Sequence, residues 1–178
     1  MEIVVLNRPT RQTSTRLAAV AAAAFAVGAL GLTGPAQAVE FSQISARHSS
    51  KCLDVKNASG DNKAAVVQYT CTAGKTNQLW RLDLVGDGYY QIAVAHSGKC
   101  IDIWDSSQDN TADAVQYTCD TGKWHQQFKL QSTSDGYVNL ITRHSGKCLD
   151  VSGASRSNSA QVHQDTCKGT PSQEWLVG

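Results

Sequence analysis

Three aspartates stand at equal intervals in the sequence, each two residues after a cysteine. They are Asp54, Asp102 and Asp150. An ionised carboxylate can accept hydrogen bonds from two neighbouring hydroxyl groups, and an aromatic ring can pack beneath an apolar C–H face. In the first two cases Tyr69 and Tyr117 precede the next cysteine by two residues, whereas Asp165 stands there in the third. A carboxylate paired with an aromatic ring is suited to a ligand that carries both hydroxyl and C–H groups, provided that the fold brings the two side chains together.

Amide and imidazole side chains could complete these sites, because they donate and accept hydrogen bonds. The candidates are Asn77, Gln78, His125, Gln126 and His163. The first site is the most complete, since it combines a carboxylate, an aromatic ring and two amides. The third site is the least complete, because Asp165 cannot stack on a ligand and places a second negative charge near Asp150.

The aspartates belong to a repeat of 48 residues. The stretches HSSKCLDV, HSGKCIDI and HSGKCLDV begin at His48, His96 and His144. The units span about residues 41–86, 87–134 and 135–178, and apolar and polar residues alternate in short runs near Asp-Gly turns. We therefore predict an all-β fold with about four short strands per unit and about twelve in all, since helical periodicity is absent from these units.

Three four-stranded units can close around a threefold axis as a β-trefoil. A propeller needs at least about four such blades, so three units cannot close that ring. In a trefoil, strands from each unit form a six-stranded barrel without exposed sheet edges, and the remaining hairpins cover one end. We expect the aromatic residues that close the units, Trp80, Phe128 and Trp175, to pack in the shared core.

The six cysteines lie two per repeat and 19 residues apart within each repeat. An even number of cysteines in an exported protein is typical of disulfide bonding. Six cysteines allow about 15 pairings, of which pairing within each repeat is the simplest symmetric choice. The predicted bonds are Cys52–Cys71, Cys100–Cys119 and Cys148–Cys167. No Cys-x-x-Cys pair is present, so the cysteines do not indicate a metal site.

The amino-terminal segment has the features of a secretory signal peptide. Three arginines precede an uncharged run of 16 residues from Leu17 to Leu32, and small residues lead to Ala38. We predict cleavage after Ala38, so that residues 1–38 are removed and residues 39–178 form a secreted protein. The run is shorter than the roughly 20 apolar residues of a spanning helix, so we predict no membrane span.

The predicted secreted chain carries almost no net charge. Without residues 1–38, 13 basic and 14 acidic side chains remain of the 16 and 15 in the whole chain. No basic cluster is present, so the chain lacks the main driving force for binding nucleic acid. We therefore do not expect a nucleic-acid partner.

The repeats together resemble a ricin B-type lectin domain, also called a family 13 carbohydrate-binding module. The resemblance rests on three Cys-x-Asp motifs, the cysteine spacing and three Gln-x-aromatic closings, and it covers residues 39–178. It implies a β-trefoil lectin with up to three shallow sites, one per repeat, for galactose-like or xylan-type glycans. It also implies that the repeated aspartates are the main sugar ligands, and we expect the carboxylates of Asp54 and Asp102 to be exposed.

One feature departs from the pattern of that family in every repeat. Many members carry a glutamine four residues before the second cysteine, where this chain has Val67, Val115 and His163. Glutamines follow one position later, as Gln68, Gln116 and Gln164. On a strand, a shift of one residue turns the side chain to the opposite face. A bulge could return the glutamines to the sugar site, but we favour hydrogen bonds inside the barrel.

Other functions find less support in the residues. The only glutamates after Ala38 are Glu40 and Glu174, and no insertion is left to form a catalytic cleft, so we expect neither an enzyme nor a cofactor. The alternatives are a protein-binding trefoil such as a protease inhibitor, or a targeting subunit for a separate enzyme or toxin. We expect a monomer. The repeated histidines could bind zinc if they converged on the threefold axis, but we favour a role in the turns.

Overall fold

The structure is a computed structural model that describes residues 40–178, so the predicted signal peptide lies outside the described residues. Within this range the regular elements are twelve β-strands and six one-turn 3₁₀ helices. Each repeat supplies four of the strands, as the alternating pattern predicts. Among these described elements, no helix is long and apolar enough to cross a membrane.

The strands follow the same order in each repeat. The first repeat forms β1 (Ile44–Ala46), β2 (Cys52–Val55), β3 (Val66–Tyr69) and β4 (Trp80–Gly86). The second forms β5 (Tyr89–Val94), β6 (Cys100–Ile103), β7 (Ala114–Tyr117) and β8 (Phe128–Ser132). The third forms β9 (Val138–Thr142), β10 (Cys148–Val151), β11 (Ala160–Asp165) and β12 (Glu174–Val177). The 3₁₀ helices are Lys56–Ala58, Thr76–Gln78, Trp104–Ser106, Trp124–Gln126, Ser152–Ala154 and Pro171–Gln173.

Asp-Gly turns lead from one repeat into the next. Asp87 and Gly88 join β4 to β5 with φ of 54° and 75°. Positive φ at both residues is the hairpin geometry that matches the right-handed twist of the strands, which explains the choice of aspartate and glycine. Asp135 and Gly136, which precede β9, also have positive φ, of 58° and 81°.

Six strands form a barrel in the order β1, β12, β9, β8, β5 and β4, and each pair is antiparallel. Ser42 and Trp80 close the barrel, because the N–H of each donates to the carbonyl oxygen of the other at 2.9 and 2.8 Å. The hairpins β2–β3, β6–β7 and β10–β11 are linked to one another in a ring by β3–β11 pairing and by two isolated bridges. The predicted β-trefoil is therefore confirmed.

The core contains apolar side chains from all three repeats. Trp80, Phe128 and Trp175 are fully buried in it, as predicted. Trp80 Nε1 donates to the carbonyl oxygen of Leu53 at 3.0 Å, and Trp175 Nε1 donates to that of Leu149 at 3.1 Å. The polar atom of each buried indole is therefore satisfied.

Three disulfides join the two cysteines of each repeat, as predicted. They are Cys52–Cys71, Cys100–Cys119 and Cys148–Cys167. Each bond ties the second strand of its repeat to the end of the third. In the chain-entropy model a loop of this length contributes about 3 kcal/mol.

The repeated glutamines connect neighbouring repeats. Gln68 is fully buried, and its Nε2 donates to the carbonyl oxygens of Ser155 and Ser157 at 2.6 and 2.9 Å. Gln116 and Gln164 make the equivalent pairs of bonds to the other repeats. The amides are therefore bonded internally, but they join the hairpins to one another and do not lie within the six-stranded barrel, where the favoured interpretation had placed them.

The repeated histidines also connect neighbouring repeats. Nε2 of each lies 2.8 Å from a backbone carbonyl oxygen of another repeat. The pairs are His48 with Ser155, His96 with Ser59 and His144 with Ser107. Each imidazole therefore fastens its own turn to a neighbouring repeat, which supports the structural role over the zinc alternative.

Candidate functional site

A surface pocket of about 330 Å³ lies beside β2 and β3 in the first repeat. Its lining includes three of the predicted site residues, Asp54, Tyr69 and Asn77. Asp54 stands opposite Val67 in the pairing of β2 and β3, and Tyr69 lies two residues beyond Val67. The side chains of Asp54, Val67 and Tyr69 therefore lie on one face of the β2–β3 hairpin, which brings the carboxylate and the aromatic ring together.

The carboxylate of Asp54 lies deep in this pocket. The residue is only 4% exposed, so the prediction of an exposed carboxylate is wrong. Gln78 is fully buried behind it and donates from Nε2 to Asp54 Oδ2 at 2.8 Å. Asp102 is also 4% exposed, and Gln126 donates to its Oδ2 at 2.8 Å. The closing glutamine of each repeat therefore encloses the carboxylate and orients it, which the Cys-x-Asp motif alone does not reveal.

Burial also changes the proton affinity of these carboxyl groups. Loss of solvent raises the pKa of Asp54, although the hydrogen bond from Gln78 and the charge of Lys75 oppose the rise. Loss of solvent likewise raises the pKa of Asp102. Both groups therefore take up a proton at a higher pH than an ordinary aspartate does.

The aromatic wall of the first pocket is Tyr69. Tyr69 is 37% exposed, so part of its ring is accessible to a ligand. Lys75 Nζ lies 5.7 Å from the centre of this ring and also lines the pocket. Asn77 completes this side and is held in place by a hydrogen bond from its Nδ2 to the carbonyl oxygen of Val55, at 3.1 Å.

An unusual stretch of backbone forms another wall of the pocket. Asn57 and Ala58, just after β2, both line the pocket with positive φ of 60° and 49°. Asp105 and Ser106 repeat this conformation in the second repeat, with φ of 58° and 52°. Gly153 and Ala154 adopt it in the third repeat as well, with φ of 60° and 48°, so this turn belongs to the shared scaffold and does not by itself mark a binding site.

The second repeat has a similar pocket of about 250 Å³. The predicted residues Asp102, Tyr117 and His125 line it, together with Trp104. His125 Nε2 lies 3.5 Å from Asp102 Oδ2, and the hydroxyl of Ser106 lies 2.8 Å from His125 Nδ1. Burial lowers the pKa of His125 against the opposing charge of Asp102. This pocket therefore combines a carboxylate, an imidazole and two aromatic rings.

The third repeat brings its predicted residues together in a different way. Asp150 stands opposite His163 in the pairing of β10 and β11, and Gln173 donates to Asp150 Oδ2 at 2.9 Å. Asp165 occupies the position of Tyr69 and Tyr117. The third repeat therefore keeps the carboxylate and its glutamine but has no aromatic ring at this position.

Several pocket residues escaped the sequence prediction, among them Trp104 and the turn residues Asn57 and Ala58. Lys75 and Lys123 line the two pockets, and their identical spacing from the second cysteine was a signal that could have identified them. Ser159 and Lys63 line the first and second pockets from neighbouring repeats. The sequence of a single repeat contains no signal for these contributions.

The family model described as ricin-type beta-trefoil lectin domain-like matches residues 33–117, 76–164 and 124–178. Among curated proteins, none matches this chain. The designed threefold-symmetric protein ThreeFoil is 44% identical, with a TM-score of 0.74 over 77% of this chain and 96% of that one.

Two further solved structures are considerably longer than this chain. The exo-beta-1,3-galactanase 1,3Gal43A from Clostridium thermocellum is 34% identical, with a TM-score of 0.73 over 77% of this chain and 29% of the galactanase. The hemolytic lectin CEL-III is 27% identical, with a TM-score of 0.62 over 76% of this chain and 29% of the lectin. The chain therefore spans less than a third of these two relatives.

Proposed function

The chain belongs to the ricin-type β-trefoil lectin family, and from this premise we propose that it is a carbohydrate-binding protein without catalytic activity. The observation that carries the proposal is the shared pocket of Asp54, Tyr69 and Asn77 in the first repeat. A buried but accessible carboxylate beside an aromatic ring is complementary to a sugar, which presents both hydroxyl groups and C–H groups. The lectin neighbours of this chain support carbohydrate binding in general.

In this proposal each residue of the first pocket has a distinct role. Ionised Asp54 accepts hydrogen bonds from two sugar hydroxyls, and the ring of Tyr69 packs against the C–H face. Asn77 adds an amide hydrogen bond. Gln78 does not touch the sugar but holds Asp54 in position, because its amide is buried behind the carboxylate.

The second pocket offers a related site with its own preferences. Asp102 and Tyr117 correspond to Asp54 and Tyr69, with His125 in the place of Asn77 and Gln126 holding the carboxylate. Trp104 adds a second ring that the first pocket lacks. Small sites with few contacts bind with dissociation constants of about 10 µM to 1 mM. Two sites on one rigid body can raise the affinity for a polymer by roughly 10²-fold or more.

We propose galactose-like or xylan-type glycans as the ligands. The similarity to a β-1,3-galactanase, of which this chain spans 29%, favours galactose-containing polymers. The same similarity favours a second role, in which this protein brings a separate enzyme to a glycan surface. The three disulfides are typical of an oxidising compartment, so we propose that the protein acts outside the cell. We also propose that it is a monomer.

The test is to titrate the protein with galacto- and xylo-oligosaccharides by isothermal calorimetry and to screen it on a glycan array. We expect Asp54→Asn and Asp102→Asn each to remove one site, and the double variant to lose binding. Asparagine is the better substitution, because alanine would leave an N–H of a buried glutamine unpaired at a cost of about 1–3 kcal/mol.

The matched control is Asp61→Asn, which removes an exposed carboxylate of the first repeat outside the pocket. It should bind as the parent protein does, and all variants should keep their melting temperature. The proposal fails if the folded parent protein binds no galactoside, xylan or arabinan. It also fails if the folded double variant binds as tightly as the parent.

A further inference from the structure

The third repeat contains a cluster of metal-ligating side chains where the other repeats have pockets. Asp150 and His163 face each other across β10 and β11, and Asp165 lies two residues beyond His163 on the same face. One oxygen of each aspartate and one ring nitrogen of His163 lie within 4.8 Å of one another. Among the described residues this is the only such group of three.

Asp150 provides a second and independent observation. The residue is 7% exposed, and its Oδ2 accepts the hydrogen bond from Gln173. Its Oδ1 is buried and has no hydrogen-bond partner among residues 40–178. The corresponding Asp54 and Asp102 line the pockets of their repeats, so the same scaffold directs the carboxylate of Asp150 toward this cluster. A buried carboxylate oxygen without a partner is costly unless a ligand satisfies it.

We propose that Asp150, His163 and Asp165 bind a divalent transition-metal ion, for which Zn²⁺ is the best fit. Zinc accepts imidazole nitrogen and carboxylate oxygen together, and three protein ligands are sufficient when solvent occupies a fourth position. Calcium and magnesium prefer about six or more oxygen ligands, which this cluster does not supply. Gln173 orients Asp150 from outside the ligand set, as is common around zinc ligands.

Binding requires only a small rearrangement. Donor atoms that share a zinc ion lie about 3.3 Å apart, so the side chains must approach one another by on the order of 1 Å. Asp165 at present accepts hydrogen bonds from the N–H of Thr166 at 2.7 Å and from Lys168 Nζ at 2.9 Å. The ion would replace the lysine, whose side chain is 55% exposed and can turn into solvent.

The ion would therefore lie at the place in the third repeat that corresponds to the pockets of the other two. His163 and Asp165 stand at the positions of Val67 and Tyr69, so these two differences place metal-ligating atoms where the first repeat has an apolar side chain and an aromatic ring. This proposal does not depend on sugar binding by the first two repeats.

The experiment uses the purified protein without a histidine tag, treated with a chelator and then titrated with Zn²⁺ by isothermal calorimetry. A parallel titration with Co²⁺ reports the ligand field through visible absorption. We expect one equivalent of zinc. His163→Val and Asp165→Tyr, which restore the residues of the first repeat, should each weaken binding at least roughly tenfold. Asp61→Asn should bind zinc as the parent protein does.

Melting temperatures establish that each variant is folded, and Asp165→Asn, which alters a partly exposed side chain, serves if Asp165→Tyr is not. The proposal is overturned if the parent protein binds no zinc, or if folded His163→Val binds it as tightly as the parent. Tighter binding of Ca²⁺ than of Zn²⁺ would also overturn it.

Discussion

The first and third repeats have the same backbone pairing but carry different side chains around the repeated aspartate. In both, the closing glutamine donates to Oδ2 of the repeated aspartate, at 2.8 Å from Gln78 to Asp54 and at 2.9 Å from Gln173 to Asp150. This pair persists in the third repeat although the aromatic neighbour is missing. The recurrence of the aspartate therefore reflects a shared structural bond, and it does not by itself indicate a sugar site.

The chemistry of each repeat depends on two positions of its third strand. Val67 and Tyr69 leave Asp54 facing an open pocket with an aromatic wall. His163 and Asp165 instead surround Asp150 with ligating atoms. Since the backbone pairing of the two hairpins is equivalent, exchanging these two residues should exchange the functions.

The largest effect should follow from transferring the third-repeat residues into the first repeat. We expect Val67→His with Tyr69→Asp to raise the zinc stoichiometry from one to two, because Asp54 would gain both missing ligands. Sugar affinity of the first site, measured in the Asp102→Asn background, should fall by about 100-fold. Calorimetry with zinc and with a sugar measures both changes. If the folded variant still binds a single zinc ion, these two positions are insufficient to explain the difference between the repeats.

Removing the aromatic ring alone should have a smaller effect. Tyr69→Ala in the Asp102→Asn background removes the stacking surface but keeps the carboxylate, so we expect a loss of roughly tenfold in sugar affinity. Tyr69→Phe retains the ring and should bind nearly as the parent does. Equal losses in both variants would mean that the hydroxyl group of the tyrosine, rather than its face, contacts the sugar.

Acidification to a pH at which about four-fifths of Asp54 is protonated should weaken the first site by about fivefold, because only the ionised form binds. Burial raises the pKa of folded Asp54, so the carboxylate is lost as the pH falls through that raised pKa. The same shift means that Asp54 contributes less to the free energy of unfolding as the pH rises from its unfolded pKa through its folded pKa. Calorimetry across pH in the Asp102→Asn background measures the first site alone, so the titration of His125 in the second pocket does not enter the measured affinity. An unchanged affinity at low pH would show that binding does not need the charged form.

The fold could be predicted from the sequence because its signals are local and occur three times. The cysteine spacing predicted the disulfides, and the Asp-Gly pairs predicted the turns that have positive φ at Asp87 and Gly88. The burial of Trp80, Phe128 and Trp175 was predictable as well, because a large apolar ring recurs at the end of each repeat.

The site was only partly predictable, because its contacts join distant parts of the chain. Nothing in Cys-x-Asp indicates that Gln78 buries Asp54, since the contact depends on how the end of the repeat folds over β2. Ser159 reaches the first pocket from the third repeat, so it becomes visible only when the repeats are packed together. The sequence did identify Asp165 as the residue that breaks the pattern, but it indicated only a less complete sugar site and did not predict the cluster with His163.

The smallest expected effect concerns the lysine that competes for Asp165. Lys168 Nζ lies 2.9 Å from Asp165 Oδ2, and this contact lowers the pKa of Asp165. Because a bound cation must displace this charge, we expect Lys168→Gln to raise zinc affinity by about threefold. The first repeat has Thr72 at this position, so the substitution makes the third repeat more similar to the first without altering a proposed ligand. Calorimetry measures the change, and Lys147→Gln is the control for a lysine elsewhere in the same repeat. A decrease in affinity would indicate that Lys168 organises the cluster before the ion arrives.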